Sequence, residues 1–105
     1  MDLLHYEKRY LKSKSVCKVT FELPKGVVSC AKRVYVVGEF NRWNMESTPM
    51  KRLRDGSFSV TLDLEKDKEY QYRYLIDGTQ WENDINADNY VPSPYGDCEN
   101  SVVVV

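Results

Sequence analysis

The stretch YQYRYLIDGTQW, residues 70–81, decides the fold. It reads as an alternating strand, an Asp77-Gly78 turn and a return strand that opens on Trp81. Side chains two apart on a strand share a face, so Tyr70, Tyr72, Tyr74 and Ile76 make one side and Gln71, Arg73 and Leu75 the other. The first set is apolar enough to be a core face. The second leaves Arg73 outside, close to where the hairpin returns Trp81. Turn length settles which face Trp81 takes, because a one-residue shift in register moves a side chain to the opposite side of the sheet. A strict two-residue turn pairs Ile76 with Thr79 and Tyr74 with Trp81, sending Trp81 inward. A three-residue loop sets Trp81 opposite Arg73 or Leu75, on the outer face. A three-residue hairpin with Gly78 in its third position and a bulge is common. The expectation is therefore Arg73 directly opposite Trp81, or the loop placed one residue along, with Leu75 opposite Trp81.

Outward from this hairpin, other stretches alternate in the same way. Residues 15–23 place Cys17, Val19, Phe21 and Leu23 on one face and Lys18, Thr20 and Glu22 on the other, until Pro24-Lys25-Gly26 ends the run. RVYVV at 33–37 is a β-rich run closed by Gly38. A polar loop carrying Phe40 and Trp43 follows, then a short edge strand around Met50 and Leu53. An Asp55-Gly56 hairpin turn leads into a strand with Phe58, Val60, Leu62 and Leu64 on one face. Residues 82–95 are acidic and Asn-rich with Pro92 and Pro94, a loop with one short strand near Tyr90-Val91. The terminal SVVVV must pair with a neighbour to stay soluble. Six or seven strands at a spacing of about 8–12 residues, with no long interior helix, predict an all-β fold. The class is an antiparallel β-sandwich of immunoglobulin-like kind, occupying residues 15–105. Residues 1–14 form an arm before it. Leu3, Leu4, Tyr10 and Leu11 fall on one helical stripe, interrupted by Glu7, so a short amphipathic helix is the expectation there.

Bulk composition excludes several function classes. The 105 residues make one domain, and 42% hydrophobic with 30% charged residues is ordinary globular material, not a disordered chain. The balance of 15 basic against 16 acidic residues leaves no cationic excess for neutralising phosphates, so nucleic acid is not an expected partner. The 3 cysteines, Cys17, Cys30 and Cys98, form no C-x-x-C, and His5 is the only histidine, which excludes structural zinc. No apolar run of signal-peptide or membrane-spanning length occurs, so no membrane partner is expected. The cytoplasm, with reduced thiols, is the expected setting.

Catalytic constellations fare poorly. A Ser/His/Asp triad would need His5 near the end of the chain, and a cysteine nucleophile lacks a positioned base for the same reason. Glu82, Asp84, Asp88, Asp97 and Glu99 supply carboxylates, but as solvated loop acids and not as a pair held across a cleft. Asp84, Asn86 and Asp88 resemble the start of a calcium loop, yet Asn89 and Tyr95 stand where that loop wants Gly and Glu, so no metal is expected. The aromatic loops differ. Trp43 lies beside Asn41, Arg42 and Asn44, and Trp81 beside Gln80, Glu82 and Asn83. A single Trp is usually a core plug, and one of these two being core is the competing reading. Two Trp in polar loops fit an exposed stacking surface. Sugars suit it, since a pyranose has an apolar C–H face for an indole and a rim of hydroxyls for amides, guanidinium and carboxylates.

These residues also carry a resemblance. Gly38-x-Phe40-Asn41-x-Trp43, then Gln71-Tyr72-Arg73-Tyr74-x-Ile76-Asp77-Gly78, then Trp81, then Asn100 ahead of the terminal Val run closely resembles the family 48 carbohydrate-binding module. That module occurs as the glycogen-binding domain of the AMP-activated protein kinase β subunit. It is similar to the N-terminal early set domains of isoamylases and glycogen-branching enzymes. The match covers roughly residues 16–105. The resemblance implies an early-set sandwich that binds α-1,4-linked glucan, such as glycogen or starch, with no cofactor. It implies that Trp43 and Trp81 stack on glucose units and that Arg73, in place of the usual Lys, hydrogen-bonds sugar hydroxyls. Tyr95 is the nearest match for a residue that presses on the ring, and Asn100 for one that contacts the sugar. The loop between Tyr95 and Asn100 and the turn before Trp81 are each one residue longer than in the kinase subunit, Thr79 being the extra residue of the turn. The family's catalytic members join this domain to a large (β/α)₈ barrel that the present residues lack, so an enzyme is not expected, although the domain could assist a glycogen-metabolising enzyme in trans. The rival class is a protein-docking module associated with such enzymes, with residues 3–11 as the anchoring arm.

Overall fold

A run whose side chains alternate between apolar and polar can bury one face only by pairing into a sheet, and this chain solves that problem with two sheets. A computed structural model of the chain describes residues 6–10, as backbone, together with 15–28, 30–94 and 98–105. In chain order the elements are β1 (Tyr6–Tyr10), β2 (Val16–Leu23), a one-turn helix α1 (Lys25–Val28), β3 (Val34–Gly38), a 3-10 turn (Glu39–Asn41), β4 (Lys51–Arg52), β5 (Phe58–Glu65), β6 (Glu69–Ile76), β7 (Gln80–Glu82), β8 (Asn89–Pro92) and β9 (Glu99–Val104). One sheet has the order β1-β2-β5-β4 and the other β3-β6-β9-β8, with β7 also on β6. Every described strand pairing is antiparallel. The two sheets make the all-β sandwich that the alternation predicts.

The expected N-terminal helix is corrected over Tyr6–Tyr10, which forms β1 and runs antiparallel to β2 from Tyr6 opposite Phe21 to Tyr10 opposite Cys17. The physical reason is a shortage of helix length set against a free sheet edge. A helix of about three turns is marginal in water, whereas β2 offers a row of unpaired backbone groups. Leu3, Leu4 and Leu11 lie outside the described residues.

Between the sheets, β2 contributes Cys17, Val19, Phe21 and Leu23, β3 contributes Val34 and Val36, and β6 contributes Tyr72, Tyr74 and Ile76, all buried. Phe21 meets the Tyr72 ring edge-on at 5.0 Å between centroids, and Tyr72 meets Tyr74 edge-on at 5.9 Å, the arrangement that ring quadrupoles favour. An inward-pointing tyrosine still carries a hydroxyl that must be satisfied. Tyr72 Oη donates to Asp84 Oδ2 at 2.8 Å and Tyr74 Oη donates to the same oxygen at 3.1 Å. Asp84 Oδ1 accepts the Asn86 amide at 3.0 Å, and the Asp84 amide donates to Ser101 Oγ at 2.9 Å. The Tyr90 hydroxyl donates to the Asp84 carbonyl. Asp84 is thus 0% exposed, which corrects its expected role as a solvated loop acid. Two oxygens of this acidic stretch accept backbone amides, Asp84 Oδ1 that of Asn86 and Asp88 Oδ2 that of Val104 at 2.7 Å.

Removing the Asp84 carboxylate takes a hydrogen-bond acceptor from two buried hydroxyls, at about 1–3 kcal/mol each. We expect Asp84→Ala to lose about 2–5 kcal/mol in urea unfolding, and Tyr74→Phe to lose about 1 kcal/mol because Asp84 keeps Tyr72.

Candidate functional site

Strand β6 changes partner halfway along one edge. Residues 69–72 pair with β9 and residues 74–76 with β7, while β3 runs along the opposite edge from Tyr72 to Ile76. Arg73 stands at the changeover, paired with Val37 of β3. The two strands that share this edge are tied across the break by Asn83, whose Nδ2 donates to the Glu99 carbonyl at 2.8 Å and whose Oδ1 accepts from Ser101 Oγ at 2.8 Å.

The β6–β7 turn resolves the register question. Asp77 and Gly78 both have positive φ, 51° and 75°, and the Thr79 amide donates to the Ile76 carbonyl at 3.1 Å. That pair of left-handed residues is the tight hairpin turn favoured by Asp-Gly. Pairing nevertheless resumes at Ile76 opposite Gln80, so Thr79 is an extra residue and Trp81 falls opposite Leu75. The direct Arg73–Trp81 pair is corrected to the loop placed one residue along, over residues 77–79, which shifts the pairing by two and so keeps both side chains on the outer face. They meet diagonally, with Arg73 Cζ 5.5 Å from the Trp81 ring, a cation–π contact. Asp77 also anchors the turn to the start of β3. Its Oδ1 accepts the amides of Lys32 at 2.8 Å and Arg33 at 2.9 Å, and its own amide donates to the Arg33 carbonyl at 2.8 Å. The Arg33 and then the Lys32 amide hold the Asp77 carboxyl below the ordinary aspartate range.

Trp43 is placed by a tightly wound loop. Gly38 faces Tyr72 of β6 so closely that a Cβ would lie 2.5 Å from the Gln71 carbonyl oxygen and 2.7 Å from Tyr72 Cβ. Phe40 tucks back onto Phe21, 5.5 Å between centroids. Asn41 Oδ1 accepts the Gly38 amide at 3.0 Å, and Asn41 Nδ2 donates to the Val36 carbonyl at 3.0 Å and to Thr48 Oγ1 at 2.9 Å. Asn44 Oδ1 accepts the Glu46 amide at 2.8 Å. Asn41 and Asn44, read from sequence as polar neighbours of a stacking surface, therefore spend these groups on the loop itself. Arg42 and Trp43 take the left-handed conformation in succession, φ 58° and 59°. For a residue as bulky as Trp this is a true outlier, costing of the order of 1 kcal/mol or more. It holds Trp43 out at 39% exposure.

One open groove of about 890 Å³ gathers Trp43, Arg73, Trp81 and Asn100. Arg42, read from sequence as a polar neighbour of the stacking surface, lines it as well, and so do Gln71, Val37, Met45 and Cys98, none of which sequence reasoning assigned to the site. Gln71 was legible as an outer-face position, and Met45 carried no signal. Tyr95 lies outside the described residues. Within the groove, Arg73 Nη1 donates to Cys98 Sγ at 3.7 Å, and its Nε is buried without a hydrogen-bond partner among the described residues. The lining carboxylate of Glu39 is engaged, accepting the Gln71 amide at 2.8 Å. The arrangement presents two indoles, guanidinium donors and an amide, which suits a neutral polyhydroxylated ring better than a reaction. Among the described residues no His/Cys/Asp/Glu cluster is suited to hold a metal ion.

Comparison with known families finds one whose description is the glycogen recognition site of AMP-activated protein kinase, matching residues 28–105. No curated protein matches the chain.

Two variants check this local geometry. Gly38→Ala forces its methyl into the Gln71 carbonyl and Tyr72, and we expect a loss of about 1–3 kcal/mol in chemical denaturation. For Asp77, a lowered carboxyl pKa in the folded state means a stabilising contribution that is present above the ordinary aspartate range and lost as pH falls through the lowered value. Asp77→Asn should therefore melt below the wild type at neutral pH, with the gap closing on acidification.

Proposed function

We propose how this chain, which belongs to the family of the glycogen recognition site of AMP-activated protein kinase, holds its ligand: α-1,4-linked glucan lies along the groove, with glucose rings stacked on Trp43 and Trp81. Arg73 and Asn100 hydrogen-bond the hydroxyl rims of those rings. The observation that carries this is the meeting of Trp43, Arg73, Trp81 and Asn100 in one groove from three separate stretches of sequence. The strained Trp43 backbone supports it, since exposing an indole at a conformational cost makes sense where the indole meets a ligand.

The module binds and does not catalyse, and its place is beside a glycogen-metabolising enzyme that it brings to the polymer. An odd number of cysteines, 3, in a domain with a full apolar core supports a cytoplasmic setting.

Covering about 80 Å² of apolar surface on one indole contributes roughly 2 kcal/mol at about 25 cal/mol per Å². Two indoles give about 4 kcal/mol, a Kd of about 1 mM before polar contacts. Binding to short oligosaccharides is thus weak, and retention on a branched polymer is strong through multivalency.

In native gels cast with glycogen the wild type should be retarded, while Trp43→Ala and Trp81→Ala each lose about 2 kcal/mol, roughly 30-fold in Kd, and run as in plain gels. An unretarded wild type rejects the glucan reading and favours the docking module.

A further inference from the structure

Asn100 is 4% exposed, so only one part of its side chain can face the groove. Its backbone is held firmly. β9 pairs with β6 and β8 on either side, and Asn83 grips the Glu99 carbonyl and Ser101 Oγ, the residues flanking Asn100. What this leaves open is the side-chain rotation and which end of the amide looks outward. Among the described residues, this amide hydrogen-bonds to Gln71. Asn100 Nδ2 donates to Gln71 Oε1 at 3.1 Å. Gln71 sits on the same outer face, opposite Val102 of β9 and therefore diagonal to Asn100. Its own backbone is fixed where β3 has run out, by its N–H, which donates a hydrogen bond to Glu39 Oε1 at 2.8 Å.

We propose that Gln71 is a positioning residue for glucan recognition: it engages the donor end of the Asn100 amide, so that the acceptor, Oδ1, faces the ligand beside the donors of Arg73. Neighbouring hydroxyls on a pyranose each donate and accept, and a donor and an acceptor held side by side are their complement. Were the amide free to turn, it would present a donor next to a guanidinium for half of the time and leave one hydroxyl proton unmatched. This inference rests on the glucan reading above and adds the residue that gives Asn100 its direction.

The test is titration of maltoheptaose into the full chain, followed by NMR, for the wild type, Gln71→Leu, Gln71→Glu, Asn100→Ala and the double variant Gln71→Leu/Asn100→Ala. Gln71→Leu should weaken binding about 5–10-fold, the size of one lost hydrogen bond. Gln71→Glu keeps an acceptor for Asn100 Nδ2 and should stay within about 2-fold of the wild type, whereas a Gln71 that acted through its own NH₂ would lose that contact and overturn the proposal. In the Asn100→Ala background Gln71→Leu should change nothing further. Additive losses would overturn the proposal and make Gln71 a separate ligand contact. Wild-type affinity in Gln71→Leu would also overturn it. Should Asn100→Ala not fold, the Asn100 side-chain amide signals in Gln71→Leu decide the matter: they should move from their hydrogen-bonded positions, and unmoved signals refute the idea. A wild type that binds no maltoheptaose rejects the glucan reading and this inference with it, whereas glucan binding with an additive cycle rejects only the inference.

Discussion

A tyrosine aimed into an apolar core must find an acceptor for its hydroxyl, and on β6 two of them converge on the single buried carboxylate of Asp84. This constraint sets much of the molecule. It commits the even-numbered residues of β6 to the interior, because a one-residue slip would carry both hydroxyls away from their acceptor and put Arg73 inside. It draws the segment after β7 down over the end of the core, since Asp84 follows Trp81 by only three residues. Through the Asp84 amide and Asn83 it also fixes β9 against β7 by way of Ser101. The outer face of β6 is free to carry a groove because its inner face has no alternative register.

Most of the fold was legible in the amino-acid order, for a physical reason. Alternation with a period of two is the direct imprint of a half-buried sheet, and it runs through the stretches that became β2 and β5 and through β6 as far as Tyr74, after which Leu75 is buried as well as Ile76. What failed to show was whatever depends on a distant partner. The segment Tyr6–Tyr10 is ambiguous by itself and became a strand because β2 had an edge to offer. Asp84 sits in an acidic, Asn-rich stretch whose composition looks like a solvated loop, and only the three-dimensional approach of Tyr72 and Tyr74 makes it a core residue. Of the candidate site, Trp43, Arg73 and Trp81 were picked out by residue type and strand register and Asn100 by the family resemblance, and the four line one groove. Gln71 was missed because its importance lies in what it touches, and an exposed-face glutamine between two tyrosines has no signature of its own.

The loop before Trp43 shows how one short motif can carry several separate physical demands. Gly38 is there because no Cβ fits against β6, Phe40 because the core has room for one more ring, and Asn41 because three backbone and hydroxyl groups need a partner. With those anchors in place the chain can hold two successive left-handed residues at Arg42 and Trp43. The order of cause runs from packing to strain to exposure. An isolated loop of this sequence would relax, and its indole would look for cover.

The changeover of partners on β6 separates the groove into parts that answer to different changes. Its floor consists of strand residues, Gln71, Arg73, Trp81 and Asn100, locked by register on three sides. Its walls are the loop that carries Trp43 and Met45 and, among the described residues, Pro92, Ser93, Pro94 and Cys98, none of which pairs with β6. Lengthening or shortening a wall would alter how long or how branched a ligand can be gripped without shifting a single floor side chain. In such a scaffold the chemistry that is recognised and the size of what is recognised are independent variables, open to selection one at a time.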